Sequence, residues 1–165
     1  MNWFLFWLFL HMLAAVVAFG PIFTFPVIGI SAAREPRHAL FAARVNKRIE
    51  EFLVVPLAAS MLVSGSGLLI TAHVDLLKTW YLLMALALYV VAMALALGVA
   101  VPTVARMVRL LDAAPAVPSG AAAPDIARLD RRVRVLGGVL QLLFLVIIFL
   151  MIVKPGGIVS GEPFG

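Results

Sequence analysis

The 165-residue sequence contains no cysteine and few charged residues. Without cysteine, the chain forms no disulfide, offers no thiol nucleophile and holds neither Cys-ligated zinc nor an iron–sulfur cluster. Only 13% of the residues are charged, which is about half the share of an ordinary soluble domain. Acidic residues are scarcer than basic ones, 8 against 13, which gives a net charge of +5. Water therefore cannot be the solvent for most of this chain.

Long hydrophobic runs take the place of the missing charge. Hydrophobic residues make up 64% of the chain, and the mean hydropathy is +1.13. Four runs, at about residues 3–30, 52–72, 80–104 and 135–153, are long enough to cross a bilayer as helices. Lipid offers the backbone no hydrogen-bond partner, so each run should be helical. The sequence therefore predicts an all-α integral membrane protein, an antiparallel four-helix bundle that forms one four-span domain over residues 1–165.

The basic residues predict the orientation of these spans. The connection between spans 1 and 2 holds five Lys and Arg residues and that between spans 3 and 4 holds six, against Lys78 and Lys154 on the opposite side. The positive-inside rule then places both basic connections in the cytoplasm and both termini outside. The expected location is the bacterial inner membrane, as a multi-pass protein. The basic face should contact anionic lipid rather than nucleic acid.

The second basic connection divides into two parts. Residues 112–124 are rich in alanine and proline and are predicted to form a flexible cytoplasmic linker. Residues 125–134 alternate acidic and basic side chains and are predicted to begin the helix that continues into span 4.

His11 is the clearest polar residue within a span. Trp7, Ala14, Ala15 and Ala18 should share its helix face, which leaves room for a flat ligand or for a closely packed second helix. Neutral imidazole is a common iron ligand, and histidine often holds haem iron. The alternative is a hydrogen bond from His11 to a neighbouring helix across small residues. Both interpretations stay open on this reasoning.

Two further residues on the outer connection are candidates for the same site. His73 follows span 2 and could complete a bis-histidine haem site with His11, although a solvated loop histidine is the plainer interpretation. Lys78 precedes span 3, and its long stem could reach inward towards His11. The remaining polar side chains with donors in the spans, Tyr89 and Gln141, are predicted to bond to neighbouring helices.

The order of these features resembles a known group of proteins. The segments Leu10–Val17 with Phe19-Gly20, Lys47–Ile49 followed by Pro56 and Gly65, Leu77-Lys78, Arg132–Arg134 and Val153–Pro155 look like those of an uncharacterised family of bacterial four-helix integral membrane proteins. That family is itself similar to the haem-binding membrane protoporphyrinogen oxidase and to the copper-resistance D domain. The resemblance implies a b-type haem near the outer leaflet, with His11 as an axial iron ligand and Lys78 near a propionate or substrate carboxylate.

Two functions of different kinds follow. The first is a membrane protein that binds haem b in a redox role, so that any enzymatic activity would be that of a membrane oxidoreductase. The alternative is a non-catalytic accessory subunit of a larger membrane complex, or a homo-oligomer. A transporter fits least well, because a conduction path needs more polar lining than these spans provide.

Overall fold

The computed structural model describes residues 2–113 and 122–154. Over these ranges every regular element is helical. The α-helices are α1 (Trp3–Arg34), α2 (Ala39–Ile49), α3 (Val55–Thr71), α4 (Trp80–Leu95), α5 (Val101–Ala113) and α6 (Ala122–Val153). A 3-10 turn at Pro36–His38 precedes α2, and π-helical segments at Glu50–Val54 and Ala96–Ala100 join α2 to α3 and α4 to α5.

Four continuous helical rods are therefore long and apolar enough to cross a membrane. They are span 1 (Trp3–Arg34), span 2 (Ala39–Thr71), span 3 (Trp80–Ala113) and span 4 (Pro124–Val153). This arrangement confirms the predicted all-α, four-span fold.

The rods extend further on the arginine-bearing side than the hydrophobic runs predicted. Arg44, Lys47 and Arg48 were expected in a loop, but they lie on α2. Hydropathy alone does not reveal this helical extension, because its residues are charged. The helix is stabilised here by the ion pair of Lys47 with Glu51, one turn later, at 3.1 Å. Arg44 also pairs with Asp112, which joins α2 to α5.

The predicted flexible linker at 112–124 overlaps the ends of two helices. Asp112 and Ala113 end α5, and residues 122–124 begin α6, so the expectation was wrong at both ends. Residues 114–121 lie outside the described residues. The prediction that 125–134 runs into span 4 as one helix is confirmed.

Small residues set the packing of the bundle. The most extensive helix contact is that of α1 with α3, followed by α4 with α6. The buried positions on these helices include Ala14, Ala18, Ala58, Gly67 and Ala85. In lipid no hydrophobic force draws helices together, so small side chains, which let backbones approach closely, determine where helices pack.

Pro26 is accommodated in span 1 by a contact from span 4. Pro26 has no N–H, so the carbonyl of Ile22, four residues earlier, loses its donor within the helix. The Gln141 side chain donates to that carbonyl at 3.0 Å. Tyr89 likewise donates its hydroxyl to the Ala58 carbonyl on α3. The prediction that Gln141 and Tyr89 bond to neighbouring helices is confirmed.

The two π-helical segments have the same relation to proline. The segment Glu50–Val54 ends two residues before Pro56, and Ala96–Ala100 ends two residues before Pro102. A proline removes one helical donor and crowds the carbonyl four residues earlier, and a wider π turn relieves that crowding. Spans 2 and 3 therefore cross without a break.

Candidate functional site

The contact between α1 and α3 holds the histidine predicted as a ligand. His11 lies eight residues after Trp3, about 12 Å along α1. Its side chain is half-buried, and its Nδ1 lies 3.0 Å from the Oγ of Ser64 on α3. His11 is therefore bonded to a neighbouring helix across small residues, which was one of the two arrangements considered from the sequence.

The hydrogen bonds of Ser64 are linked to which nitrogen of the imidazole carries the proton. Its hydroxyl oxygen lies 3.2 Å from the carbonyl oxygen of Ser60 and 3.3 Å from that of Met61, both on its own helix. A hydroxyl has a single hydrogen, so the direction of its bond to His11 depends on the tautomer of the imidazole. In one arrangement that hydrogen is donated to the α3 backbone. Ser64 then accepts from His11 Nδ1–H. In the neutral imidazole the Nε2 lone pair is left available to bind a metal.

Two glycines on α3 make room for the side chains of α1. A Cβ added to Gly65 would come within 3.4 Å of His11 Cε1, so the imidazole lies directly against that glycine. A Cβ added to Gly67 would come within 2.3 Å of Trp7 Cδ2, so the indole fills the place of a side chain. Trp7 and His11, one turn apart, thus pack into the Ser64–Gly67 segment. We call this contact the His11 cluster.

The sequence predicted the alanine face of α1 but not this partner. Ser64 and Gly67 are three residues apart and share a helix face, which is a recognisable signal for close packing. The sequence does not indicate which of the other helices packs against this face.

His73 lies in the connection after α3 and acts there as a helix cap. It is exposed, and its φ of 51° is in the left-handed region. Its N–H donates to the carbonyl of Ile70 at 3.3 Å, and the N–H of Val74 donates to that of Leu69 at 3.2 Å. This is a Schellman motif, in which the left-handed residue ends the helix.

Lys78 lies in the same connection and faces solvent. Its side chain is 85% exposed and pairs with Asp75 at 3.2 Å. No hydrogen bond or ion pair among the described residues joins Lys78 or His73 to His11. The described residues therefore show no direct polar contact between His11 and the other two predicted site residues, and the shared site stays a prediction.

Within the His11 cluster, the imidazole is the group with a donor atom of the type that ligates haem iron. The four porphyrin nitrogens leave the protein to supply only one or two axial ligands, and His11 Nε2 is a suitable donor. Among the described residues no group of three or more His, Asp or Glu side chains could hold a bare metal ion. Trp7 fills the space at Gly67, so a porphyrin would have to approach the imidazole from another side.

Four helices of this length and apolar composition are those of a four-span integral membrane protein. The chain matches the family DUF2269, described as predicted integral membrane proteins, over residues 5–155, and it belongs to that family. No curated protein and no solved structure shows significant similarity to the chain.

Proposed function

We propose that this protein binds b-type haem through His11 and takes part in electron transfer within the membrane. The observation that carries the proposal is the hydrogen bond between His11 Nδ1 and Ser64 Oγ. A metal-ligating histidine almost always donates its second ring N–H to an acceptor, which fixes the tautomer and the ring orientation. Ser64 is such an acceptor when its own hydrogen is donated to the α3 backbone, and Nε2 is then the ligand atom.

Each residue of the His11 cluster has a role in the proposed haem binding. A bound haem iron would supply one-electron redox chemistry. Ser64 holds the imidazole ring in a single orientation, and Gly65 gives the ring space. Trp7 keeps the helices packed beside it. The role of Lys78 near a propionate stays a prediction that follows from the resemblance to the oxidase, and the proposal does not depend on it.

Absorption spectra of the purified protein test the proposal. The full chain is produced in bacterial membranes under haem-replete conditions and purified in a mild detergent. We expect a Soret band and, by the pyridine haemochrome assay, one haem per chain. His11→Ala should abolish both, and His73→Ala is the matched control that should retain both. Ser64→Ala should weaken haem binding about tenfold, as expected for loss of an outer-shell partner.

Two results would contradict the haem proposal. One is a folded wild-type protein that remains colourless after haem is supplied. The other is a Soret band of unchanged height and position in the His11→Ala variant.

The accessory role is favoured by a different observation. His11 and Trp7 already serve to pack α1 on α3, and only 11–17% of the most apolar part of each span is buried within the chain. Helix faces that are exposed to this extent contact either lipid or the helices of other subunits. Colourless protein that copurifies with other membrane subunits in a fixed ratio would support this second function.

A further inference from the structure

Spans 2 and 3 leave an apolar groove between them. Among the described residues α3 and α4 do not pack extensively, in contrast to α1 with α3 and α4 with α6. The groove has a volume of about 510 Å³. Its only polar side-chain group is the Tyr89 hydroxyl, which is already donated to the Ala58 carbonyl. The lining residues are Leu62, Tyr89, Val90, Met93, Ala94, Leu97 and Gly98.

The depth of the groove places it in one leaflet. Tyr89 lies nine residues and Gly98 eighteen residues after Trp80, which corresponds to about 14 Å and 27 Å along the helix. The hydrocarbon layer is about 30 Å thick. On the other wall, Leu62 lies nine residues before Thr71, at the same depth as Tyr89. The groove therefore runs from the middle of the bilayer to the hydrocarbon edge near the arginine-rich connections.

The walls of the groove are open to the surrounding lipid. The residues Leu62, Val90 and Leu97 are 45%, 55% and 47% exposed. Gly98 has no atom within 4 Å of the place that a Cβ would take. A linear hydrocarbon chain can enter such a groove sideways from the bilayer, without crossing a polar barrier.

A cation lies at the headgroup end of this groove. Arg106 is eight residues beyond Gly98, about 12 Å further along span 3 and beyond the hydrocarbon edge. Its side chain is exposed and forms no ion pair with any described residue. Ala94 and Gly98, four residues apart, lie on one side of the helix, and Arg106 lies further along the same span at the headgroup level. Apolar groove and cation therefore follow one another along span 3 in the order of the tail and phosphate of a lipid.

We propose that this groove binds one acyl chain of an anionic phospholipid from the arginine-side leaflet, with the phosphate on Arg106. Complementary charge at the headgroup level distinguishes this occupant from a neutral lipid or an apolar partner helix. The site is separate from the His11 cluster, which lies nearer the tryptophan-bearing ends of the spans.

Native mass spectrometry of the full chain in mild detergent tests the proposal. The probes are phosphatidylglycerol and phosphatidylcholine with the same acyl chains. The first copy of phosphatidylglycerol should bind the wild type about fivefold more tightly than phosphatidylcholine, which is the effect of one arginine at the headgroup surface. Arg106→Gln should remove this preference, whereas Arg128→Gln, on span 4, should retain it.

A second pair of variants tests the groove itself. Gly98→Leu should fill open space without displacing backbone, and we expect it to lose tight binding of both lipids. Gly137→Leu is the matched control, because a Cβ at Gly137 also meets nothing within 4 Å and the residue does not line the groove. Unchanged phosphatidylglycerol binding in Gly98→Leu, or an unchanged preference in Arg106→Gln, would overturn the proposal. So would a wild-type dimer that Gly98→Leu dissociates while lipid binding is unaffected, since a second copy would then fill the groove.

Discussion

At Gly67 the missing side chain decides how closely two spans approach. The indole of Trp7 occupies the place where a Cβ would stand, and the nearest atoms are those of the ring fusion rather than the tip of a flexible chain. The ring cannot move aside without separating α1 from α3. The same separation would stretch the hydrogen bond of His11 to Ser64.

Gly67→Ala should therefore destabilise the protein although alanine is the better helix former. We expect a loss of about 1–3 kcal/mol in the free energy of unfolding, the usual cost of overpacking a well-packed contact. Unfolding of the purified protein in mixed micelles, titrated with a denaturing detergent, measures this change.

Gly137→Ala is the control for that experiment. A Cβ at Gly137 meets nothing within 4 Å, so this variant should be as stable as the wild type or slightly more so. If both alanine variants behave alike, the packing of Trp7 on Gly67 does not hold the spans together.

At the scale of the element, span 1 depends on span 4 for a hydrogen bond that its own backbone cannot make. Pro26 leaves the Ile22 carbonyl without a helical donor, and Gln141 supplies one. An unpaired carbonyl is costly in lipid. The proline and the glutamine are therefore coupled, although they lie on different helices.

A double-mutant cycle should detect this coupling. Gln141→Leu in the wild type should lower stability by about 0.6–1.7 kcal/mol, the range of hydrogen bonds between helices in a membrane. In a Pro26→Ala background the new N–H can satisfy Ile22, so the same substitution should cost markedly less. Equal costs in the two backgrounds would show that the carbonyl freed by proline is not the reason for the Gln141 contact.

The end of α3 gives a second prediction at this scale. His73 adopts a left-handed conformation that glycine accepts without a Cβ penalty. His73→Gly should raise the free energy of unfolding by about 1 kcal/mol and should leave haem content unchanged. A lower stability, measured by the same detergent titration, would contradict the cap interpretation.

At the scale of the whole molecule, the sequence predicted the four spans because the hydrophobic runs exceed the length of a bilayer crossing. It did not predict that α2 is helical, because Arg44 and Lys47 lie outside the hydrophobic runs from which the spans were predicted. Nor could it pair helices: Ser64 and Gly67 are visible as small residues, but their contact with His11 and Trp7 depends on which spans are neighbours. The sequence placed His73 in the loop after span 2, but it did not predict its left-handed conformation, since an αL cap occupied by histidine carries no local signature.

The predicted orientation of the bundle assigns each of the two proposed binding sites to one leaflet of the membrane. This predicted orientation would place the arginine-bearing connections and the lipid groove at the cytoplasmic leaflet, and the His11 cluster in the outer half of the membrane. Since the chain has no cysteine, one introduced thiol reports one position without background labelling.

Labelling with a membrane-impermeant maleimide tests this claim most directly. Two variants are compared: Leu77→Cys, at a residue 82% exposed in the connection between spans 2 and 3, and His38→Cys, in the turn between spans 1 and 2. In intact cells we expect Leu77→Cys to react and His38→Cys to react only after the membrane is opened. Reaction of His38→Cys in intact cells, with Leu77→Cys protected, would place the arginines outside and contradict the account.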